Sequence, residues 1–266
     1  ELLDTSIANV SLPYIAGGLG RSFDEVTWIL TTYLVANAVV LPLSAWLSRV
    51  FGRKNYYMVC VALFTATSFL CGIAPSLSIL LIARLLQGIG GGGLAPVEQA
   101  ILVDTFPPAK RASAFALYTV AIVTAPAIGP VLGGWITDNY NWRWVFLINI
   151  PVGLLSLFLT SRFVHDPPAY AAERRTVRAP NGKLKIDGVG IALIGLGSAA
   201  LEVLLDRGQI DDWFGSVFIR WAFALAIVCI GTAIFWELRH DDPVIEFRLL
   251  KIRNFGLASS RGFDAD

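Results

Sequence analysis

Leu80–Val103 reads LLIARLLQGIGGGGLAPVEQAILV, an apolar run carrying one arginine, one glutamate and a cluster of glycines. A helix that crosses about 30 Å of hydrocarbon needs about 20 predominantly apolar residues, and this stretch supplies them. A guanidinium inside such a helix costs on the order of 2.5–3.5 kcal/mol on insertion scales, so Arg84 is expected to face a partner or a water-filled cavity. Read as one continuous helix at about 100° per residue, Arg84, Gln87, Gly88, Gly91 and Ala95 share a side, and Glu98 falls within about 40° of Arg84. That face is polar and small, which lets a neighbouring backbone approach closely in lipid. The helix is therefore read as the wall of a transport pathway. Gly88, Gly90 and Gly93 also spell G-x-G-x-x-G, but the dinucleotide fingerprint needs a preceding strand and a soluble βαβ unit, so the match is set aside.

Composition agrees with this reading. Hydrophobic residues make up 55% of the chain and charged residues 15%, with mean hydropathy +0.63, the range of multi-spanning membrane proteins and not of soluble domains. Cys60, Cys71 and Cys229 lie in apolar runs without metal-ligand spacing and read as small buried hydrophobes. No constellation of nucleophile, base and oxyanion donors appears, and no metal-ligand cluster, so an enzyme is not expected. Net charge +1 is uninformative, and no nucleic-acid partner is expected.

Hydrophobic runs bounded by charges give eight segments: 1–16, 26–47, 56–73, 77–103, 112–136, 144–163, 186–205 and 216–238. Their turns alternate in charge. Fifteen Lys and Arg fall on one side, among them Arg53, Lys54, Lys110, Arg111 and Arg162, against four on the other, Arg21, Arg143, Arg207 and Arg220. By the positive-inside rule the N-terminus is expected to be cytoplasmic, and tryptophans and tyrosines mark both interfaces. Four parts follow: a six-helix bundle over 1–164, a basic cytoplasmic linker over 165–185, a transmembrane hairpin over 186–240, and an interfacial segment with the start of a further helix over 241–266. Because the chain opens on Glu1 in mid-motif and ends as an apolar run begins near Phe255, it is expected to be a piece of a longer protein.

Five stretches carry a family resemblance. AWLSRVFGRKNYY, after the second segment, resembles the G-x-L-x-D-R-x-G-R-K turn of the major facilitator superfamily. LLDTSIANVSLP resembles the L-D-x-T-x-x-N-x-x-L-P motif of its drug:proton antiporters, and RLLQG matches R-x-x-Q-G. TAPAIGPVLGG is similar to the antiporter motif G-x-x-x-G-P-x-x-G-G, and WRWVFLINIPVG to the start of helix six in the fourteen-helix branch. Within that branch, LLDRGQIDDWF and FWELRHDDPVIEFRLLKIRNF resemble the EmrB-type exporters, whose helices seven and eight form a hairpin inserted between two six-helix halves. The resemblance implies an all-α polytopic membrane protein of the major facilitator fold, an N-terminal six-helix half plus inserted hairpin, in the inner membrane. It implies export of lipophilic or amphipathic drug-like compounds in exchange for protons, with no cofactor beyond the proton gradient, and partnership with a periplasmic adaptor and an outer-membrane channel. Three positions depart from the pattern: Ala45 stands at the first glycine and Arg49 at the acidic position of the first motif, and Ala125 at the first glycine of the fifth-segment motif. The same fold exporting a fatty acid or siderophore is the alternative within the class; a non-transporting receptor or assembly subunit is the alternative outside it.

Residue by residue, Asp4 and Arg84 are candidates for proton coupling. Counted along their helices their depths differ by about 6 Å, which tilt and the long arginine side chain can close. Leaving both unpaired would cost roughly 5–7 kcal/mol. Asp4 would alternate between a carboxylate held by Arg84 and a neutral acid favoured by desolvation. Glu98 is a second candidate for a proton or a cationic substrate, with plain solvation as its alternative. Thr5, Asn9, Tyr33, Asn37 and Gln87 are candidates to line a substrate cavity, with interhelical hydrogen bonding as the alternative. Gly52, Arg53 and Lys54 are expected in the turn with a gating role. Ala125, Gly129, Pro130, Gly133 and Gly134 are expected to bend the fifth segment, pack it tightly and, by resemblance, seal the pathway.

Overall fold

A computed structural model describes residues 1–166, 187–239 and 244–245. The linker expected over 165–185 and the segment expected over 241–266 therefore lie almost wholly outside the described residues. The chain divides into two compact units, Glu1–Val177 and Arg178–Asp266.

Among the described residues the first unit holds eight helices: α1 Leu2–Leu19, α2 Phe23–Phe51, α3 Arg53–Ile73, α4 Leu77–Gly91, α5 Leu94–Thr105, α6 Pro108–Asn139, α7 Trp144–Leu147 and α8 Asn149–Phe163. Among the described residues of both units, seven helices are long and apolar enough to cross a membrane, with α4 and α5 counted as one span and α7 and α8 as another. Their lateral surfaces remain apolar: Leu117, Val120, Val123 and Val131 of α6 and Leu154, Phe158 and Phe163 of α8 are exposed, which suits contact with lipid or with further membrane-spanning segments.

Local chemistry sets the helix ends. Ser22 and Glu25 form a reciprocal capping box that opens α2, with the Glu25 carboxylate accepting from the Ser22 backbone N–H at 3.0 Å. Gly52, with φ 87° and ψ 147°, separates α2 from α3 in a conformation that disfavours any side chain.

The organising span is not the single regular helix expected. It breaks into α4 and α5 at a turn over Gly92 and Gly93. The cause is Pro96, which has no N–H for the Gly92 carbonyl and whose ring would collide with it. Pro96 instead sits in the first turn of α5, where an N–H has no partner in any case. The same physics divides α7 from α8, because Pro151 leaves the Leu147 carbonyl without its helical donor.

α4 is wedged between α2 and α3, and its glycines are the reason. A Cβ at Gly88 would drive into the Tyr33 carbonyl of α2, and one at Gly90 would lie 2.8 Å from the Phe64 nitrogen of α3. With α4 so held, Leu80 and Ala83 join Ile7, Ile29, Val145 and Phe146 in one buried apolar cluster, while Tyr33, Tyr56, Cys60, Phe64, Leu94 and Val97 form a second.

α1 runs along α6. α6 stays helical through Pro126 and Pro130, and the carbonyl orphaned by Pro130, that of Pro126, accepts a hydrogen bond from Ser6 Oγ of α1 at 3.1 Å. Gly129 leaves the room, since a Cβ there would meet the Ser6 side chain.

The second unit is an antiparallel hairpin of α9 Gly188–Arg207 and α10 Val217–Arg239, joined through a short 3₁₀ turn at Trp213–Gly215. Asp187 caps α9 by accepting from the Gly190 N–H at 2.9 Å, and the Trp236 indole of α10 donates to the same carboxylate at 2.9 Å. At the other end Arg207 and Asp211 form an ion pair at 3.1 Å.

Candidate functional site

In the first unit the sequence places Asp4 and Arg84 inside apolar helices, and the fold brings them into contact. Arg84 Nη1 donates to Asp4 Oδ2 at 2.7 Å, with both side chains 0% exposed. Arg84 Nη1 also donates to Gln87 Oε1 at 2.7 Å, and Nε to the Ile29 carbonyl of α2 at 3.2 Å. Its Nη2 has no hydrogen-bond acceptor. Aromatic rings flank the guanidinium: its carbon lies 4.2 Å from the Tyr33 ring centre and 5.6 Å from that of Phe146.

Asp4 is held from the other side by Asn149 of α8, whose amide donates to Oδ1. Gln87 Nε2 donates to Ser68 Oγ of α3 at 2.7 Å. Five helices thus converge on one buried charge pair: α1 supplies the acid, α4 the base and the glutamine, α3 a hydroxyl, α8 an amide and α2 a carbonyl and a ring.

Such a site holds one negative and one positive charge in balance. Breaking a buried pair by removing one partner typically costs about 3–5 kcal/mol, because the survivor is left uncompensated. A proton on Asp4 would have that effect without a mutation: the acid becomes neutral and Arg84 loses its counter-charge.

The other candidates are placed as follows. Gln87 and Tyr33 join the pair, and both are buried. Thr5 bonds back to the Glu1 carbonyl at 3.4 Å, Asn37 donates to the Glu1 carboxylate, and Asn9 is exposed. Glu98 does not join Arg84. It lies beyond the α4–α5 break and accepts from Tyr57 Oη of α3 at 3.0 Å. Arg53 donates to the Ala100 carbonyl at 3.1 Å and pairs with Asp104, tying the α2–α3 turn to the end of α5. Lys54 Nζ donates to the Ser161 carbonyl of α8 at 2.8 Å, so the basic turn is anchored to two helices. Among the described residues Arg49 has no ion-pair partner, and it borders an open cavity of about 490 Å³ with Ser44, Ser48 and Arg53. Gly129 and Gly133 face α1, Gly134 meets nothing within 4 Å, and Ala125 is half-buried beside Pro126.

Ser68, Asn149 and Ser6 escaped the sequence reading. Each had a signal, a polar side chain within an apolar span, but not one that names its partner. Among the described residues no group of His, Cys, Asp and Glu is arranged to hold a metal ion.

The profile of the Major Facilitator Superfamily matches residues 1–245. The chain belongs to that superfamily. Among its relatives, the multidrug export protein EmrB of Haemophilus influenzae is 41% identical over 257 residues, 97% of this chain and 48% of that protein. EmrB of Escherichia coli K12 is 40% identical over 96% of this chain and 48% of its own length. The fatty acid resistance protein FarB of Neisseria gonorrhoeae is 42% identical over 99% of this chain and 50% of its own. The chain spans about half the length of the curated relatives it matches. Membership makes it a multi-pass membrane protein of a transporter superfamily, not an enzyme, and its all-helical spans agree.

Proposed function

We propose that these residues form the N-terminal half, with an inserted hairpin, of an exporter that moves lipophilic or amphipathic compounds across the inner membrane in exchange for protons. The observation that carries the reading is the fully buried Asp4–Arg84 pair inside a spanning bundle. A scaffold or receptor has no reason to bear the insertion cost of two such charges. Protonation of Asp4 from outside would release Arg84, which must then find water or another acceptor. Because five helices meet at this point, that search would loosen their packing and bias the protein toward its other face. Deprotonation to the cytoplasm would restore the pair. Each charge moved across the membrane adds about 2.3 kcal/mol per 100 mV of potential, enough to drive uphill export.

The N-terminus and the basic turns would be cytoplasmic, with the anchored Arg53–Asp104 contact as part of the inner gate. Tight contact of Gly129 and Gly133 with α1 would limit proton leak. Asn9 and Asn37 would line the substrate path, and Thr5, beside them on α1, would support it. Tyr33 and Gln87, being buried with the pair, would sense substrate only as the bundle opens. An adaptor and an outer-membrane channel would meet the outer turns.

The test uses the full-length protein in liposomes loaded with a fluorescent lipophilic cation under an inward proton gradient. Wild type is expected to give gradient-driven efflux that disappears in Asp4→Asn while ligand binding persists. Equal efflux in the two proteins would remove Asp4 from coupling. The similarity to the fatty acid resistance protein favours a second reading, in which the compound is a fatty acid. Gradient-driven movement of a fluorescent fatty acid in preference to the cation would select it.

A further inference from the structure

Glu98 stands apart from the buried pair and has a recess of its own. Six residues separate it from Asp104, which puts it about 9 Å along α5 from the Arg53–Asp104 ion pair and inside the apolar span. Among the described residues no lysine or arginine pairs with it. Its hydrogen-bond donor is a neutral phenol, Tyr57 Oη at 3.0 Å. The half-buried carboxylate borders an open recess of about 250 Å³, walled by Tyr57 of α3, Tyr118 of α6 and Thr160 of α8. Ile101 and Leu102 extend that wall as an apolar floor. Glu98 and Asp4 both lie within apolar helices, but only Asp4 has an arginine in contact.

We infer that this recess between α3, α5, α6 and α8 binds a lipophilic ammonium cation. The Glu98 carboxylate supplies the counter-charge. The Tyr57 and Tyr118 rings offer π-faces, which attract a desolvated quaternary ammonium. Ile101 and Leu102 receive its apolar tail. The volume has room for a benzyl-dimethylammonium head. An inorganic cation is a poor fit, because the wall offers it one carboxylate and few other oxygens. The inference concerns binding alone and stands whether or not the exporter reading holds.

The test measures Kd in nanodiscs, with the full-length protein, for a fluorescent benzalkonium analogue and for its neutral isostere carrying carbon in place of the ammonium nitrogen. Glu98→Gln is expected to weaken the cation by at least about tenfold and to leave the isostere within about twofold, with Glu98→Asp retaining most of the affinity. Unchanged cation binding in Glu98→Gln, or equal loss of cation and isostere, would overturn the site. A benzophenone-bearing quaternary ammonium, photolysed with wild type, gives a reading that needs no variant to fold. Cross-links on α5, α6 or α8 around Glu98 are expected, and labelling confined to other helices would sink the idea. Glu98-dependent binding in a protein that shows no gradient-driven efflux would keep this inference and reject the exporter.

Discussion

At the scale of single residues the site is a problem of charge balance. Arg84 is 0% exposed and directs donors to Asp4, Gln87 and the Ile29 carbonyl, so its charge is spread over three acceptors and two aromatic neighbours. Arg84→Ala should destabilise the full-length protein by about 3–5 kcal/mol, as should Asp4→Ala, since each leaves a buried charge alone. The pair Asp4→Leu with Arg84→Met should cost much less than the sum of the singles, because it removes both charges and keeps apolar volume. Unfolding free energies in mild detergent check this, and additive losses would mean the two charges are not coupled. Contact between Asp4 and Arg84 was legible in the sequence because insertion energetics demand a partner for each, and few partners exist. Ser68 and Asn149 were not, since a serine or asparagine within a span fits many interhelical bonds, and local pattern cannot choose one 81 or 145 residues away in sequence.

Elements depend on where backbones touch. Gly88→Ala would press a methyl onto the Tyr33 carbonyl, a backbone atom with little freedom to move, and should cost about 1–3 kcal/mol as an overpacked contact. Gly134→Ala points into open space and should be neutral or stabilising by up to about 1 kcal/mol through helix propensity. Melting temperatures of the two variants beside wild type check the contrast, and equal effects would refute the wedge described for α4. Gly129 and Pro130 act together at a finer level: one admits Ser6 and the other frees the Pro126 carbonyl that Ser6 satisfies. Ser6→Ala should therefore cost about 0.5–1.5 kcal/mol, the usual net worth of one hydrogen bond, by the same melting measurement. The spans themselves were legible from hydropathy, and their observed ends differ from the expected ones by a few residues. The break at Gly92–Gly93 was not legible from the shared face of Arg84 and Glu98: Pro96 removes one helical bond, which α6 tolerates at Pro126 and Pro130, but here the loss falls on two adjacent glycines, the weakest helix formers after proline.

For the whole molecule, orientation rests on the count of fifteen basic residues against four across alternating turns. Cys60, Cys71 and Cys229 are all buried and should not react with a bulky membrane-impermeant maleimide, and any cysteine elsewhere in the full-length protein is replaced by serine before the test. Three exposed positions report the two sides: Lys110 at the start of α6, Asn141 between α6 and α7, and Gln209 between α9 and α10. Introduced singly in the full-length protein, Asn141→Cys and Gln209→Cys should label in intact cells whose outer membrane is permeable to the reagent. Lys110→Cys should label only after the inner membrane is opened. Agreement of Gln209→Cys with Asn141→Cys carries the further point that two crossings, the α7–α8 span and α9, separate these positions, so that the hairpin turn lies on the same side as the turn before α7. The reverse pattern at all three sites would invert the topology, and with it the direction of proton entry to Asp4. A mismatch at Gln209→Cys alone would mean that α9 and α10 do not cross as a pair, leaving the six-helix unit and its buried charges as they are.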